Sequence, residues 1–383
     1  MSICDLSVCI GCGICKAVCP KNAILLAPNA EGFLTPQINA ERCTQCGLCQ
    51  RVCPQNQDSV KEFKSVKHIF AFKNPDTAAR KGSSSGAAFP FLAGQVLKNG
   101  GSVYGAALSA DQTYVHHICA QNEQTLRSIC GSKYVQSSTE DCWEMVGRDL
   151  KCGRSVLFSG TACQVYALMK YLEYFRIPTE NLLTCDIICH GVGSPRIYAR
   201  FISYVGKKHH STVKAYHFRS KEVSWRGASA AAVLDDGRRL SNTPEVSSYM
   251  NVYYSGCITR ECCYSCRFAQ QQRVADCTIG DFWGLESLMP ELEDALGVSV
   301  ILGNTDKAVK LFSDAAVEMN VALEALKQPN LLQPTARPAE RDAFWDEYRN
   351  KGIGYVLHKY GAYGIRHKLN VYRSALKRKM KIK

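Results

Sequence analysis

Two runs of cysteine constrain this chain more than anything else in it. CIGCGICKAVCP, from Cys9 to Pro20, recurs as CTQCGLCQRVCP, from Cys43 to Pro54. Each run has the spacing C-x2-C-x2-C-x3-C-P: Cys9, Cys12, Cys15 and Cys19, then Cys43, Cys46, Cys49 and Cys53. That spacing belongs to [4Fe-4S] ligation, in which one loop wraps three thiolates around a cubane and the fourth cysteine crosses to the other cluster. Cys9, Cys12, Cys15 and Cys53 are therefore expected to hold one cluster, and Cys43, Cys46, Cys49 and Cys19 a second. Gly11, Gly13 and Gly47 permit the tight turns that aim backbone N–H groups at sulfur. Two zinc ribbons compete with this reading, but zinc sites seldom interleave eight cysteines. Cys4 is left over as a bystander.

Residues 1–57 thus read as a bacterial-type ferredoxin domain, with the two apolar strands of NAILLAPNAEGFLTPQIN between its cysteine runs. The whole chain of 383 residues carries 21 cysteines. Disulfide frameworks belong mostly to short secreted chains, and this one opens MSICDLSVCIGCG, without a basic or apolar leader. No apolar run is long enough to span a bilayer. A reducing cytoplasm and metal-bound thiolates are the expectation. The net charge of +13 is concentrated at the end: from Tyr348 onward stand eleven Lys/Arg and no Asp or Glu, while the rest carries 36 basic and 34 acidic residues. The basicity belongs to a tail and does not mark a nucleic-acid binder.

After a polar linker at 58–67, strands and helices alternate, predicting an α/β fold (α+β in its small first domain): a ferredoxin-like domain followed by a larger mixed α/β domain with lobes at 68–150 and 151–345, then a basic tail at 346–383. Strands are expected at 68–73, 102–108 and 298–304, with a helix running on from the last to about Met319. Helices are expected within 82–101 and 141–153. Residues 155–175 read strand–turn–helix, and 182–191 a buried strand entering a glycine turn. In the tail, Ile365, Leu369, Tyr372, Leu376 and Met380 form an apolar stripe among Arg366, Lys368, Arg373, Lys377, Arg378 and Lys379. Such a helix suits an anionic lipid surface at the cytoplasmic face, or its own protein core.

Beyond the ferredoxin run the cysteines are less regular. Cys163 sits at a strand-to-helix turn and Cys189 at a strand end, the positions where open α/β sheets bind ligands. With the Cys263/Cys266 pair they converge on a third cluster, unless they are simply buried thiols. The small-residue loop GSSSG (Ser83, Ser84, Ser85, Gly86) entering a helix offers an anion site, or no more than a serine-capped linker. GSKYVQS (Gly131, Ser132, Lys133, Tyr134) has a similar look, with Lys133 either a phosphate partner or a solvated lysine. Asp276 and Asp281 either meet a ribose or substrate, or cap turns. His190 is the candidate proton donor, against the commoner structural role of a lone histidine.

In their order, GSSSGAAF, GSKYVQS, FSGTACQ, DIICHG, CYSC and ADCTIGDFWG resemble the coenzyme F-420 hydrogenase/dehydrogenase beta-subunit family over residues 68–345. The resemblance implies an iron–sulfur flavoprotein oxidoreductase. It implies a third [4Fe-4S] cluster on Cys163, Cys189, Cys263 and Cys266, and an FAD lined by the serine loop, Gly131–Tyr134, and Gly160 and Thr161 of FSGTACQ. Three positions depart from the family: Ala162 stands where proline is frequent, Ala87 where glycine is usual, and Cys262 immediately before Cys263 doubles the ligand choice. The partner is expected to be a redox protein or a reduced coenzyme, with the substrate open. A second reading keeps the chain as a non-catalytic electron-transfer protein docked on a separate enzyme, linked to polysaccharide synthesis.

Overall fold

The computed structural model describes residues 2–56, 63–222, 225–226 and 229–364. The apolar stripe and cationic face read from Ile365 to Met380 lie outside the described residues.

The two cysteine runs fold alike and then diverge. In each, a left-handed glycine (Gly13, φ 76°; Gly47, φ 72°) starts a one-turn helix, Ile14–Ala17 or Leu48–Arg51. Between them β1 (Ile24–Pro28) and β2 (Leu34–Ile38) pair antiparallel. Gly11 and Gln45 occupy equivalent places at φ 67° and 54°. A Cβ on Gly11 would lie 2.7–2.8 Å from Leu34 O, Arg260 Nη1 and Gln136 Nε2, so this repeat needs glycine because another part of the chain presses on it. Gln45 is exposed and keeps its side chain.

The rest is built on one mixed sheet of nine strands. They are β3 (His68–Phe72), β4 (Ser102–Leu108), β5 (Val115–Ala120), β6 (Ser137–Ser138), β7 (Val156–Thr161), β8 (Leu182–Ile187), and, after an intervening layer, β12 (Cys277–Asp281), β13 (Ser299–Gly303) and β14 (Val317–Glu318). Their order is β14-β3-β13-β12-β8-β7-β4-β5-β6. The centre, β12-β8-β7-β4, is parallel. The sheet takes strands from both sides of residue 150. The intervening layer is a three-stranded sheet, β9 (Val213–His217), β10 (Ala231–Leu234) and β11 (Arg239–Ser241). Helices Pro195–His209 and Pro244–Tyr254 pack on it through Tyr198, Phe201 and Tyr249, and Arg341–Tyr360 packs on those two helices with Phe344 and Trp345, all buried.

Most expected elements stand within a residue or two. The helix expected to run to Met319 does not: it covers Asp306–Phe312, and Val317–Glu318 pairs as the edge strand β14 against Ala71 and Phe70. Ser313 to Ala316 carry the chain back to the sheet edge, where pairing satisfies backbone groups that a longer helix would leave facing β3. No helix among the described residues is long and apolar enough to cross a membrane.

Candidate functional site

The cysteines gather as the interleaved spacing predicts. Cys19, Cys43, Cys46 and Cys49 line one small cavity at the end of the ferredoxin domain, where Cys46 is exposed. Cys9, Cys12, Cys15 and Cys53 form a second group, each buried, close enough that Cys9 and Cys53 both raise the thiol pKa of Cys12 and Cys15. All 21 cysteines are free thiols. Backbone N–H groups point at sulfur: Gly11 to Cys9 Sγ at 3.4 Å and Ala23 to Cys19 Sγ at 3.3 Å. Cys4, expected as a bystander, lies against the thiols of Cys9 and Cys53.

The buried group faces the α/β domain. Cys12 O accepts from Trp143 Nε1 at 2.8 Å and Thr139 Oγ1 at 3.0 Å. Cys9 O accepts from Arg260 Nε at 2.8 Å, and Ile10 O from Gln136 Nε2 at 3.0 Å. Ion pairs Lys16–Glu140 (2.6 Å) and Arg341–Glu31 (2.6 Å) flank this seam. The dicluster domain is thus seated with its inner cysteines against the larger domain and its outer cysteines toward solvent.

Across the seam lies a cavity of about 60 Å³ lined by Cys163, Cys189, Cys262, Cys263 and Cys266. Ile10 and Gln55, close in sequence to the inner cysteines Cys9 and Cys53, form part of its wall. Cys163 comes from the first turn of the helix Ala162–Tyr174, which Thr161 and Gln164 start with a capping box. Cys189 follows β8. Cys262, Cys263 and Cys266 come from a 3-10 turn, Glu261–Ser265, and its end. The Gly191 N–H points at Cys189 Sγ over 3.4 Å, and the Phe268 N–H bonds the Cys266 thiol. Arg260, Arg267 and Arg273 also line this space. Burial pushes the thiol pKa of Cys163 up and that of Cys189 to about 12. Such thiols become thiolates when a metal centre supplies the positive charge. The donor set, the N–H···S bonds and the arginines fit a [4Fe-4S] cluster. All four cysteines expected from the sequence are here, and Cys262 lines the same space, so the ambiguity over Cys262 and Cys263 persists in three dimensions.

A larger cavity of about 250 Å³ adjoins it. Thr161, Ile187 and Asp281, the last residues of the parallel neighbours β7, β8 and β12, open into it, as expected at the carboxyl edge of such a sheet. Nine of the ten residues expected around a flavin line it: Ser83, Ser84, Ser85, Gly131, Ser132, Lys133, Tyr134, Gly160 and Thr161. Gly86 stands behind the wall, where an added Cβ would fall 2.2 Å from Phe72 O and 2.5 Å from Ser299 N. The two expected loops touch, for Ser132 N donates to Ser84 Oγ at 2.9 Å. Ser83 and Ser85 spend their hydroxyl protons on Ala79 O and Val298 O. Lys133 is tied back to the chain just before it. Its ammonium donates to Ser128 O (3.0 Å) and Cys130 O (2.8 Å), and burial lowers its pKa to about 8.

Of the two aspartates, Asp276 ties strands together by accepting from Thr184 N and Oγ1, both at 2.8 Å. Asp281 lines the cavity but is paired with Arg219 at 2.8 Å. His190 reaches both cavities, and desolvation lowers its pKa. Four residues here carry no motif. Arg219, beyond its pair, donates to Tyr134 Oη at 3.2 Å. Lys221 donates from beneath the serine loop to Arg80 O, Ser85 O and Leu296 O, each at 2.6 Å. His117 lines the cavity with Nε2–H on Ser159 O and Nδ1 accepting from Ser137 Oγ, and burial lowers its pKa to about 4. Arg260 lies on the seam. Each sits in a stretch whose partners are fixed only by tertiary folding.

Among the described residues no group of three or more His, Cys, Asp or Glu closes on a single metal ion; the cysteines ring cavities instead. Fold and cysteine geometry define an iron–sulfur redox protein. The comparisons place it further. Residues 8–57 match a 4Fe-4S dicluster domain, as do residues 35–83 with a second such model, and residues 153–329 match the C terminus of the coenzyme F420 hydrogenase/dehydrogenase beta subunit. The chain therefore joins a region that matches a dicluster domain to one that matches the C terminus of that beta subunit, as its motifs led one to expect. No curated protein matches. Among solved structures, a chain of the F420-reducing [NiFe] hydrogenase complex from Methanosarcina barkeri is similar at 14% identity and a TM-score of 0.47, over 78% of this chain and 92% of that one.

Proposed function

We propose that this chain is an iron–sulfur flavoprotein oxidoreductase with three [4Fe-4S] centres and an FAD. The carrying observation is a shared wall. Thr161, Gln164, Cys189, His190, Gly191 and Val192 line both the five-cysteine cavity and the larger one beside it. The four sites then follow in line: outer cysteines at the surface, inner cysteines at the seam, five cysteines behind it, and the large cavity last. When bound, clusters carry single electrons and a flavin exchanges one or two, so the pair joins one-electron carriers to hydride chemistry.

The chain's own residues supply the rest. Cys163, Cys189, Cys263 and Cys266 hold the third centre, with the Gly191 and Phe268 N–H groups on sulfur. The serine loop and Gly131–Tyr134 clasp each other through Ser84 and Ser132 and line the flavin's side of the cavity. The capped end of the helix Ala162–Tyr174 presents its positive pole there, which suits a phosphate. His190, at the junction of the cavities, is placed to exchange a proton with a substrate. The substrate is a small molecule or coenzyme that exchanges electrons with the flavin.

The test is the iron and flavin content of protein purified without oxygen. About twelve irons and one FAD per chain are expected. About eight irons and no flavin would overturn the proposal and return the chain to an electron-transfer protein docked on another enzyme.

A further inference from the structure

Three arginines are buried to 5% exposure or less among the described residues: Arg260, Arg273 and Arg341. Arg273 pairs with Asp186 at 2.9 Å and Arg341 with Glu31 at 2.6 Å. Arg260 pairs with no carboxylate in any described ion pair. Each of its three nitrogens donates to a neutral oxygen: Nε to Cys9 O (2.8 Å), Nη1 to Gln136 Oε1 (2.8 Å) and Nη2 to Leu34 O (2.9 Å). Phe33 covers its face at 5.2 Å. A buried cation without a counter-ion is costly, so something anionic is expected to stand beside it.

Two cysteine-lined sites, each fit for an anionic thiolate-bound centre, stand there. The guanidinium lies against the thiols of Cys9 on one side and Cys262 on the other. It also forms part of the wall of the five-cysteine cavity. Glycine at position 11 makes room for it, since a Cβ there would stand 2.8 Å from Arg260 Nη1. The matching place in the outer repeat is Gln45, which is exposed.

We propose that Arg260 is the shared counter-ion of the inner ferredoxin centre and the five-cysteine centre, and that it holds both reduction potentials above what their ligands alone would give. Reduction adds one negative charge to a centre, and a fixed cation in a buried seam stabilises that charge with little screening by salt. The outer centre, on Cys19, Cys43, Cys46 and Cys49, lies away from Arg260 and escapes the effect. The half of the inference that concerns the five-cysteine centre rests on the three-cluster reading; the half that concerns Cys9 does not.

The experiment is a potentiometric titration of the full chain followed by electron paramagnetic resonance, with three variants. Arg260→Gln deletes the charge. Arg260→Lys keeps it. Gln136→Glu leaves the arginine in place and sets a carboxylate against it in nearly the same shape. Arg260→Gln and Gln136→Glu are expected to lower the potentials of the two inner centres and leave the outer one unchanged, while Arg260→Lys stays near the parent protein. A neutralised variant that assembles its clusters with unmoved inner potentials, or with all centres moved alike, overturns the inference. Should Arg260→Gln lose its clusters, Gln136→Glu decides. Iron content separates the two readings: eight irons with a shifted inner ferredoxin centre refutes the third cluster and leaves the role of Arg260 at Cys9 intact.

Discussion

The Gly191 N–H meets Cys189 Sγ at 3.4 Å, the distance at which Gly11 N–H meets Cys9 Sγ inside the ferredoxin domain. Donor and sulfur are two residues apart in both. The same offset recurs where the Ile14, Gln55 and Phe268 N–H groups bond Cys12, Cys53 and Cys266. Three of these five cysteines are dicluster ligands by spacing and two are not. Their common turn stabilises a thiolate in the same way, and it groups Cys189 and Cys266 with the ligands.

Serine at Cys163, Cys189, Cys263 or Cys266 is therefore expected to remove about four irons per chain and leave the eight of the ferredoxin domain. Cys262→Ser should keep all of them. The Cys263 sulfur falls 3.8 Å from where a Gly191 Cβ would stand, beside the Cys189 turn, whereas Cys262 lies against Arg260 and Cys9. Iron content after anaerobic purification reads the result directly; a loss in Cys262→Ser with full iron in Cys263→Ser would exchange the two residues.

Gly86→Ala should destabilise the protein by about 3 kcal/mol, near the upper end for overpacking. The new methyl would strike Phe72 O and Ser299 N, which are paired in register where β3 and β13 meet. Neither is the end of a flexible side chain, so the strands or the loop must move. The denaturation midpoint reads the loss, and a Gly86→Ala protein as stable as its parent would show that the loop gives way freely.

The two cysteine groups of the dicluster domain were legible because their chemistry is local. Three thiolates on one loop need fixed spacing, and Cys9 to Pro20 displays it. Much of the sheet was legible too, since Leu182–Ile187 and Ser299–Gly303 are short apolar runs bounded by turns. The helix past Gly303 was overextended because its sequence stays helix-compatible through Ala316, and only pairing with β3 turns Val317–Glu318 into a strand. The layer from β9 to β11 left little trace, for its strands are only three to five residues long. Arg260, Lys221 and His117 were silent for another reason: each has partners more than twenty residues away or on several segments, and nothing around it repeats.

His117 predicts a specific acid sensitivity. Its pKa of about 4 in the fold lies below the 6.5 of an unfolded chain. Between those values the unfolded state binds a proton that the native state refuses. Stability is then complete above pH 6.5 and falls as pH drops toward 4, by roughly 3 kcal/mol in total. The expected observation is a denaturation midpoint that falls less steeply from pH 7 to pH 5 in His117→Gln than in the parent protein. Parallel curves for the two would remove His117 as the cause.

Lys221 tests how the serine loop is held. One ammonium gathers Arg80 O, Ser85 O and Leu296 O at 2.6 Å, and burial lowers its pKa to about 8. The cation is costly there, yet removing it strands three carbonyls, and an unsatisfied buried acceptor costs about 1–3 kcal/mol. Lys221→Met should therefore destabilise by about 2 kcal/mol in spite of relieving a buried charge. The effect should also be local, because Ser85 belongs to the loop and Leu296 to the segment beneath it. Hydrogen exchange of the amides from 82 to 88 should quicken, while those of β7 and β8 keep their protection. On the flavin reading, retention of FAD falls with it. Unchanged exchange at 82–88 would mean that Ser84, through Ser132, and Ser85, through Val298, hold the loop without the lysine.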